Sequence, residues 1–117
     1  MKTLMKRAKS NLGFKGYIKK GDIVETVTLT KDNYKEFANE YWKGYYSVSA
    51  ENVEGNMVTV MAKDRKCSLP EWNFDFVEIG ATYVKIDKDP LNPARGKTWG
   101  RILNVDQLEE VKYNEEI

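Results

Sequence analysis

Three carboxylates stand close together in the sequence, at Glu71, Asp75 and Glu78, and they are the residues best suited to acid–base chemistry. Glu71 and Asp75 flank a run of alternating aromatic residues, so they point either into a cleft or into water. The chain contains no histidine, which removes the commonest general base and metal ligand. Charged residues in such positions are mostly solvated. We therefore predict no catalytic residues and a protein that is not an enzyme.

Two further motifs have the residue types of reactive sites but not the required partners. Cys67 is the only cysteine, and without histidine there is no Cys–His pair to activate it. Structural zinc needs about four Cys or His ligands, so we predict no metal and no cofactor. Residues 96–98 read Gly-Lys-Thr, but a P-loop requires a glycine five positions before Gly96, where the chain has Leu91. We interpret 94–100 as a hairpin loop.

Length and composition predict one soluble domain. The chain has 117 residues, of which 12% are aromatic and 32% are charged, and this aromatic content argues against disorder. No apolar run approaches the roughly 20 residues of a membrane span, and the first residues lack the continuous apolar segment of a signal peptide. A single cysteine fits a reducing compartment. We predict a cytoplasmic protein that does not enter a membrane.

The net charge of +1 conceals an asymmetry along the chain. Residues 1–20 contain seven basic residues and no acidic one, whereas residues 104–117 contain five acidic residues and one lysine. The basic segment can attract an anionic partner, or it can pair with the acidic tail of the same molecule. The sequence leaves both alternatives open.

Hydrophobic periodicity predicts two helices. Residues 2–12 have the spacing of a short basic helix. Residues 31–43 contain apolar side chains at i, i+3, i+4 and i+7, which is the stripe of an amphipathic helix. Asp32 or Asn33 is suited to cap the start of this second helix. The stripe consists of Tyr34, Phe37, Ala38 and Tyr41.

The rest of the chain is predicted to be β-rich. Residues 23–29 form a strand, and 44–53 and 57–63 form a hairpin around Gly55, with Val58, Val60 and Ala62 on one face. Residues 81–87 and 97–103 are predicted partners, and Asn104 begins either a short helix or an edge strand. Trp72, Phe74 and Phe76 share one face of a strand. We assign Phe74 and Phe76 to the core and Trp72 to its rim.

The order of these elements from residue 20 to residue 79 resembles the SH3-like small barrels of many short bacterial and phage proteins. The resemblance rests on KKGDIVETV, on the hairpin YYSVSAENVEGNMVTVMA and on SLPEWNFDFVEI. It implies a mainly β, β-rich α+β domain in which 20–80 form the barrel and one amphipathic helix is inserted. Residues 1–19 are then a basic N-terminal segment, and 81–117 a C-terminal hairpin extension.

The lysine- and tyrosine-rich composition also resembles accessory proteins of phages that infect low-GC Gram-positive bacteria. Such proteins often bind and disable one host factor. The resemblance implies action in the host cytoplasm on a host protein.

Binding to another protein is the preferred interpretation of the function. Tyr, Trp and Arg anchor interfaces, and residues 41–46, YWKGYY, hold four aromatics that no single face can bury together. We predict partner contacts from Trp42, Tyr45, Tyr46 and Trp72. An exposed barrel edge would also permit a homodimer.

Binding to nucleic acid is the alternative interpretation. Basic side chains would neutralise phosphates and exposed aromatics would stack on bases, although a pI near 7.7 is low for a dedicated binder. The candidate anion-binding residues are Lys6, Arg7, Lys15, Lys19, Lys20, Arg95, Lys97 and Arg101.

Overall fold

The predicted mainly β fold with one inserted helix is confirmed, and residues 23–28 show its sequence basis, since five of these six are β-branched. The structure is a computed structural model, and it describes residues 1–12, 18–42, 47–63, 72–86 and 98–111. The elements are β1 (Leu4–Ala8), β2 (Ile23–Thr28), α1 (Tyr34–Tyr41), β3 (Ser47–Glu54), β4 (Met57–Lys63), β5 (Trp72–Glu78), β6 (Thr82–Lys85), β7 (Trp99–Ile102) and β8 (Leu108–Glu110).

The strands form two antiparallel sheets. The larger sheet has the order β7-β6-β2-β1-β8, and the smaller one has the order β3-β4-β5. The larger sheet combines strands from all three segments distinguished in the sequence, namely 1–19, 20–80 and 81–117. The basic N-terminal segment is therefore an integral strand of the fold.

The prediction of a helix over residues 2–12 is wrong. Residues 4–8 form β1, which pairs with β2 on one side and with β8 on the other. An isolated helix of this length is marginal in water. Two sheet neighbours offer the same backbone groups a ladder of hydrogen bonds, and this tertiary pairing overrides the local periodicity.

The second predicted helix is confirmed as α1. Its buried residues are Phe37, Ala38 and Tyr41, the core of the stripe read from the sequence. Asn33 occupies the N-cap position, but its side chain does not cap the helix. Instead it accepts a hydrogen bond from the Thr30 amide at 2.7 Å and donates one to the Thr28 carbonyl at 3.1 Å. Asn33 thereby fixes the chain between β2 and α1.

The hairpin and the C-terminal pairings also agree with the sequence. β3 and β4 meet at Gly55, whose φ of +61° is the left-handed conformation that favours glycine. Val58, Val60 and Ala62 are all fully buried, as the alternation predicted. β6 pairs with β7. Residues 105–107 form one turn of 3₁₀ helix before β8, so both alternatives for this segment are present.

Each face of the larger sheet packs on a hydrophobic cluster. Val27 and Tyr83 belong to the cluster that α1 and the smaller sheet cover, whereas Val24 and Val84 belong to a second cluster with Leu12 and Ile18. Since successive strand residues point to opposite faces, the two clusters lie on opposite sides of the sheet. The smaller sheet therefore has one face in the first cluster and one face outside it.

Candidate functional site: an aromatic sheet face and an adjoining cleft

The outer face of the smaller sheet carries a row of exposed aromatic side chains. Trp72, Phe74 and Phe76 are 47%, 59% and 62% exposed. Met61 lies opposite Phe74 on β4, and Met57 lies four residues before Met61 on the same face. We call these five residues, Trp72, Phe74, Phe76, Met57 and Met61, the aromatic face.

The assignment of Phe74 and Phe76 to the core is wrong. The alternation correctly placed both residues on one side of β5. The register with β4 sets Val77 opposite Val58, so the Val77 side of β5 faces the core and the Phe74 side faces outward. Val77 is 1% exposed. A period-two pattern shows which residues share a face, not which face is buried. The first cluster already contains five large aromatics from elsewhere, which are Phe37, Tyr41, Trp42, Tyr83 and Trp99.

Among the described residues, the three strands of the smaller sheet carry more acidic than basic side chains. Lys63 lies opposite Trp72, with its Nζ atom 5.6 Å from the ring centroid, which is a cation–π distance. Glu78 lies opposite Met57 at the other end. The three strands together carry one basic residue, Lys63, and four acidic ones, Glu51, Glu54, Asp75 and Glu78.

The expected exposure of Trp42 as a partner-binding residue is wrong. Trp42 is 8% exposed, and its ring packs edge-on against that of Tyr41 with centroids 5.1 Å apart. It belongs to the core because the chain leaving α1 turns it inward. Tyr45 and Tyr46 lie outside the described residues, whereas Trp72 is exposed on the aromatic face.

The basic N-terminal strand faces the acidic C-terminal strand of the same molecule. Lys6 lies opposite Glu110 and Arg7 opposite Glu109, and the Arg7 guanidinium is 3.7 Å from the Glu109 carboxylate. Of the two alternatives left open by the sequence, the structure supports pairing with the acidic tail at these two positions.

The other candidate cations do not join one anion site. Lys19 and Lys20 are exposed at the turn before β2. Arg101 lies on β7, three strands from β1, or about 14 Å away, and its guanidinium is 2.9 Å from the Glu78 carboxylate. The remaining three candidates, Lys15, Arg95 and Lys97, lie outside the described residues.

A cleft of about 320 Å³ opens between β5 and β7, beside the aromatic face. Four aromatic residues line it together with one acidic and one basic residue. They are Tyr41, Phe76, Tyr83, Trp99, Asp75 and Arg101. Phe76 belongs to both the cleft and the aromatic face.

Hydrogen bonds fix the polar groups of the cleft. The Tyr41 hydroxyl donates to Asp75 Oδ2 at 2.7 Å, and the Phe76 amide donates to Asp75 Oδ1 at 2.8 Å. The Glu78 amide donates to the Tyr83 hydroxyl oxygen at 3.0 Å. The Phe76 and Glu78 amides point away from β4, at the edge of the smaller sheet. Because these bonds already engage both amides, another strand cannot readily pair with this edge of β5.

Burial raises the pKa of the Tyr41 hydroxyl, and the hydrogen bond to Asp75 raises it further. Burial likewise raises the pKa of Tyr83. Both hydroxyls therefore stay protonated at neutral pH, and Tyr41 acts as a hydrogen-bond donor rather than as a base.

Phe37 positions three of the rings that line the cleft. It is fully buried, and its ring centroid lies 5.8 Å from that of Tyr41, 4.9 Å from that of Tyr83 and 5.6 Å from that of Trp99. Because α1 supplies Phe37 and Tyr41 from one face, the helix stripe builds the wall of the cleft. The sequence singled out Asp75 but not Tyr83 or Trp99, which no local motif connects.

Two classes of site are missing from the part of the chain that the structure describes. It has no group of three His, Cys, Asp or Glu residues placed to hold a metal ion. Within the same residues, no helix is both long and apolar enough to cross a membrane.

Comparisons with protein-family models, with curated protein sequences and with solved structures gave no match. The resemblances to SH3-like barrels and to phage proteins stay predictions.

Proposed function

We propose that this protein is a non-enzymatic binding protein whose aromatic face covers an apolar surface of a partner protein. The observation that carries the proposal is the row of Trp72, Phe74 and Phe76, three large aromatics exposed side by side on one strand. Single exposed apolar residues are ordinary, but a contiguous patch marks an interaction surface.

The residue types of the aromatic face suit a protein interface. Burying each aromatic side chain contributes about 2 kcal/mol, and Trp is among the residues that dominate measured interfaces. Met57 and Met61 add flexible, polarisable surface that adapts to a partner. A few such contacts account for most of the affinity of a typical complex.

The dimensions of the smaller sheet favour another protein over a second copy of this chain. Three strands of about seven residues span about 14 Å by 23 Å. This footprint is less than half of the roughly 800 Å² that each partner buries in a standard interface. Two copies meeting through this face alone would therefore associate weakly. A different protein can cover the face and extend past it.

The distribution of charge favours a protein over a nucleic acid. Aromatics on a sheet can stack on bases, but phosphates also need cations nearby. The strands of the smaller sheet carry four acidic residues and one basic residue. On β1, Lys6 and Arg7 already face Glu110 and Glu109. Nucleic-acid binding is therefore the competing outcome in the experiment below.

The first test is affinity capture from a nuclease-treated lysate of a low-GC Gram-positive bacterium, where the phage resemblance directs the search. The wild-type chain is compared with Phe74→Ala and with Asn39→Ala, a truncation on the exposed side of α1, away from the aromatic face. We expect Phe74→Ala to lower recovery of the bound protein more than tenfold, because losing an anchor costs about 2 kcal/mol. Asn39→Ala should bind as the wild type does.

Thermal unfolding of the same variants controls for folding. Phe74 is more than half exposed, so Phe74→Ala should change the free energy of unfolding by less than about 1 kcal/mol, against 3–5 kcal/mol for a core phenylalanine. Equal recovery with Phe74→Ala would contradict the proposal. Loss of the bound species on nuclease treatment would favour the nucleic-acid alternative.

A further inference from the structure

We propose that the partner presents an amphipathic helix to the aromatic face, with basic side chains along the side of the helix that lies over β3. This inference rests on the proposed function, because it names the part of the partner that contacts the same surface. Two rows of side chains carry it. One is the aromatic row along β5, and the other is an acidic row along β3.

The acidic row lies on the same side of the smaller sheet as the aromatic row. Glu54 lies opposite Met57 across the hairpin, so the two side chains share a face. Ser49 lies opposite Met61, and its hydroxyl donates a hydrogen bond to the Glu51 carboxylate. Both carboxylates therefore border the aromatic face along β3.

These two carboxylates can receive basic side chains from a partner. Both residues are exposed, and β3 carries no basic residue. Among the residues that the structure describes, neither Glu51 nor Glu54 forms an ion pair. Lys63 lies opposite Trp72, six residues along β4 from Met57, or about 20 Å. The β3 side of the face therefore favours a cationic segment.

The backbone of the partner favours a helix over an extended segment. An extended segment laid on the aromatic face would lose water from its amides and carbonyls and meet only side chains, which is costly. The edge of β5 is closed to it, since the Phe76 and Glu78 amides are engaged. Pairing with β3, the opposite edge strand, would leave the aromatic row uncovered. A helix satisfies its own backbone and can bury the rings.

The dimensions of the sheet fit one helix. β3 and β5 are separated by β4 alone, so the two rows are about 10 Å apart, close to the helix diameter of about 10–12 Å. A helix laid along β4 can therefore touch both rows. The strand length of about 23 Å corresponds to about 15 helical residues. An apolar stripe on such a helix covers the rings while the flanking lysines or arginines reach β3.

The test is fluorescence anisotropy of the full chain with three labelled synthetic peptides of about 15 residues. The lysine peptide has leucines at helical spacing and lysines along one side of that stripe. The glutamate peptide carries glutamates in place of the lysines, and the proline peptide has two central prolines that prevent the helix. We expect saturable binding of the lysine peptide, and binding at least tenfold weaker for the other two.

The three tryptophans of the chain report where the lysine peptide binds. Trp72 is 47% exposed on the aromatic face, whereas Trp42 and Trp99 are 8% and 1% exposed. We expect the peptide to shift the indole NMR signal of Trp72 and to leave the other two in place. Shifts confined to the buried pair would place the peptide elsewhere and would contradict the inference.

Substitutions on the two rows separate their contributions. Phe74→Ala should weaken binding of the lysine peptide more than tenfold, because an anchor is lost. The double variant Glu51→Gln, Glu54→Gln should weaken it about three- to tenfold, because two exposed ion pairs are lost. Glu109→Gln, Glu110→Gln removes the same charge from exposed positions on β8 and should bind as the wild type does.

Failure of this inference is distinguishable from failure of the proposed function. Equal affinity for the lysine and glutamate peptides, equal affinity for the proline peptide, or no binding of the lysine peptide would overturn the inference. If Phe74→Ala still lowers recovery of the bound protein from lysate, the proposed function stands without it. Equal recovery with Phe74→Ala contradicts the proposed function itself.

Discussion

Two buried threonines differ in whether their hydroxyl groups have a hydrogen-bond partner, and this difference decides their effect on stability. Thr26 and Thr98 are 2% and 4% exposed. The Thr26 hydroxyl donates to the Leu4 carbonyl at 2.9 Å, and this bond joins β2 to β1. The Thr98 hydroxyl has no hydrogen-bond partner among the described residues. A buried polar group without a partner costs about 1–3 kcal/mol.

Thr98→Val should therefore stabilise the protein, whereas Thr26→Val should destabilise it. Both substitutions exchange a hydroxyl for a methyl group of similar size. The change in the free energy of unfolding therefore depends mainly on whether the removed hydroxyl had a hydrogen-bond partner. We expect the free energy of unfolding to rise by about 1 kcal/mol in Thr98→Val and to fall by about as much in Thr26→Val. Urea unfolding of the two variants measures this difference. A loss of stability in Thr98→Val would show that its hydroxyl is satisfied.

At the scale of single elements, the basic N-terminal segment supplies β1, whose charged side chains face those of β8. Arg7 and Glu109 are both partly exposed and lie opposite each other. Opposite charges in such cross-strand positions contribute a few tenths to about 1 kcal/mol, and like charges there are destabilising.

Charge reversal at this pair tests whether the basic segment is matched to the acidic tail. Arg7→Glu should lower the free energy of unfolding by up to about 1 kcal/mol, and the double variant Arg7→Glu, Glu109→Arg should recover most of the loss. Lys19→Glu makes the same change in net charge at an exposed turn, where we expect less than about 0.5 kcal/mol. Failure of the double variant to recover stability would contradict the match.

The sequence predicts those elements whose signals are local. The stripe of α1 and the turn at Gly55 each lie within about a dozen residues, and both are confirmed. β1 was mistaken for a helix because its two neighbours begin at residues 23 and 108, far along the chain. The buried side of β5 was mistaken for a different reason, since a period-two pattern shows which residues share a face but the packing of the sheet decides which face is buried.

The residues of the candidate cleft are even harder to predict from local sequence patterns. Asp75 could be singled out by its type and position, but its hydrogen-bond partner Tyr41 is 34 residues away in sequence. Tyr83 and Trp99 come from strands beyond it, and Phe37 joins their rings from the helix. No local pattern connects these residues because tertiary packing alone brings them together.

For the molecule as a whole, the division between its two sheets is the basis for the proposed position of the binding surface. The larger sheet is covered by a cluster on each face, and its end strands bring the basic and acidic segments together. The smaller sheet has one face in the core and presents its largest aromatics outward. The sheet with the least covered surface therefore carries the proposed function.

The most direct measurement of this claim is site-specific photo-crosslinking. A photoreactive phenylalanine analogue replaces Phe74 on the aromatic face or, as a control, Asn39 on the exposed side of α1, and each protein is irradiated in nuclease-treated lysate. We expect a discrete covalent adduct with another protein from position 74 and none from position 39. Equal adducts from both positions, no adduct at all, or a crosslinked dimer of this chain as the sole product would contradict the proposed function.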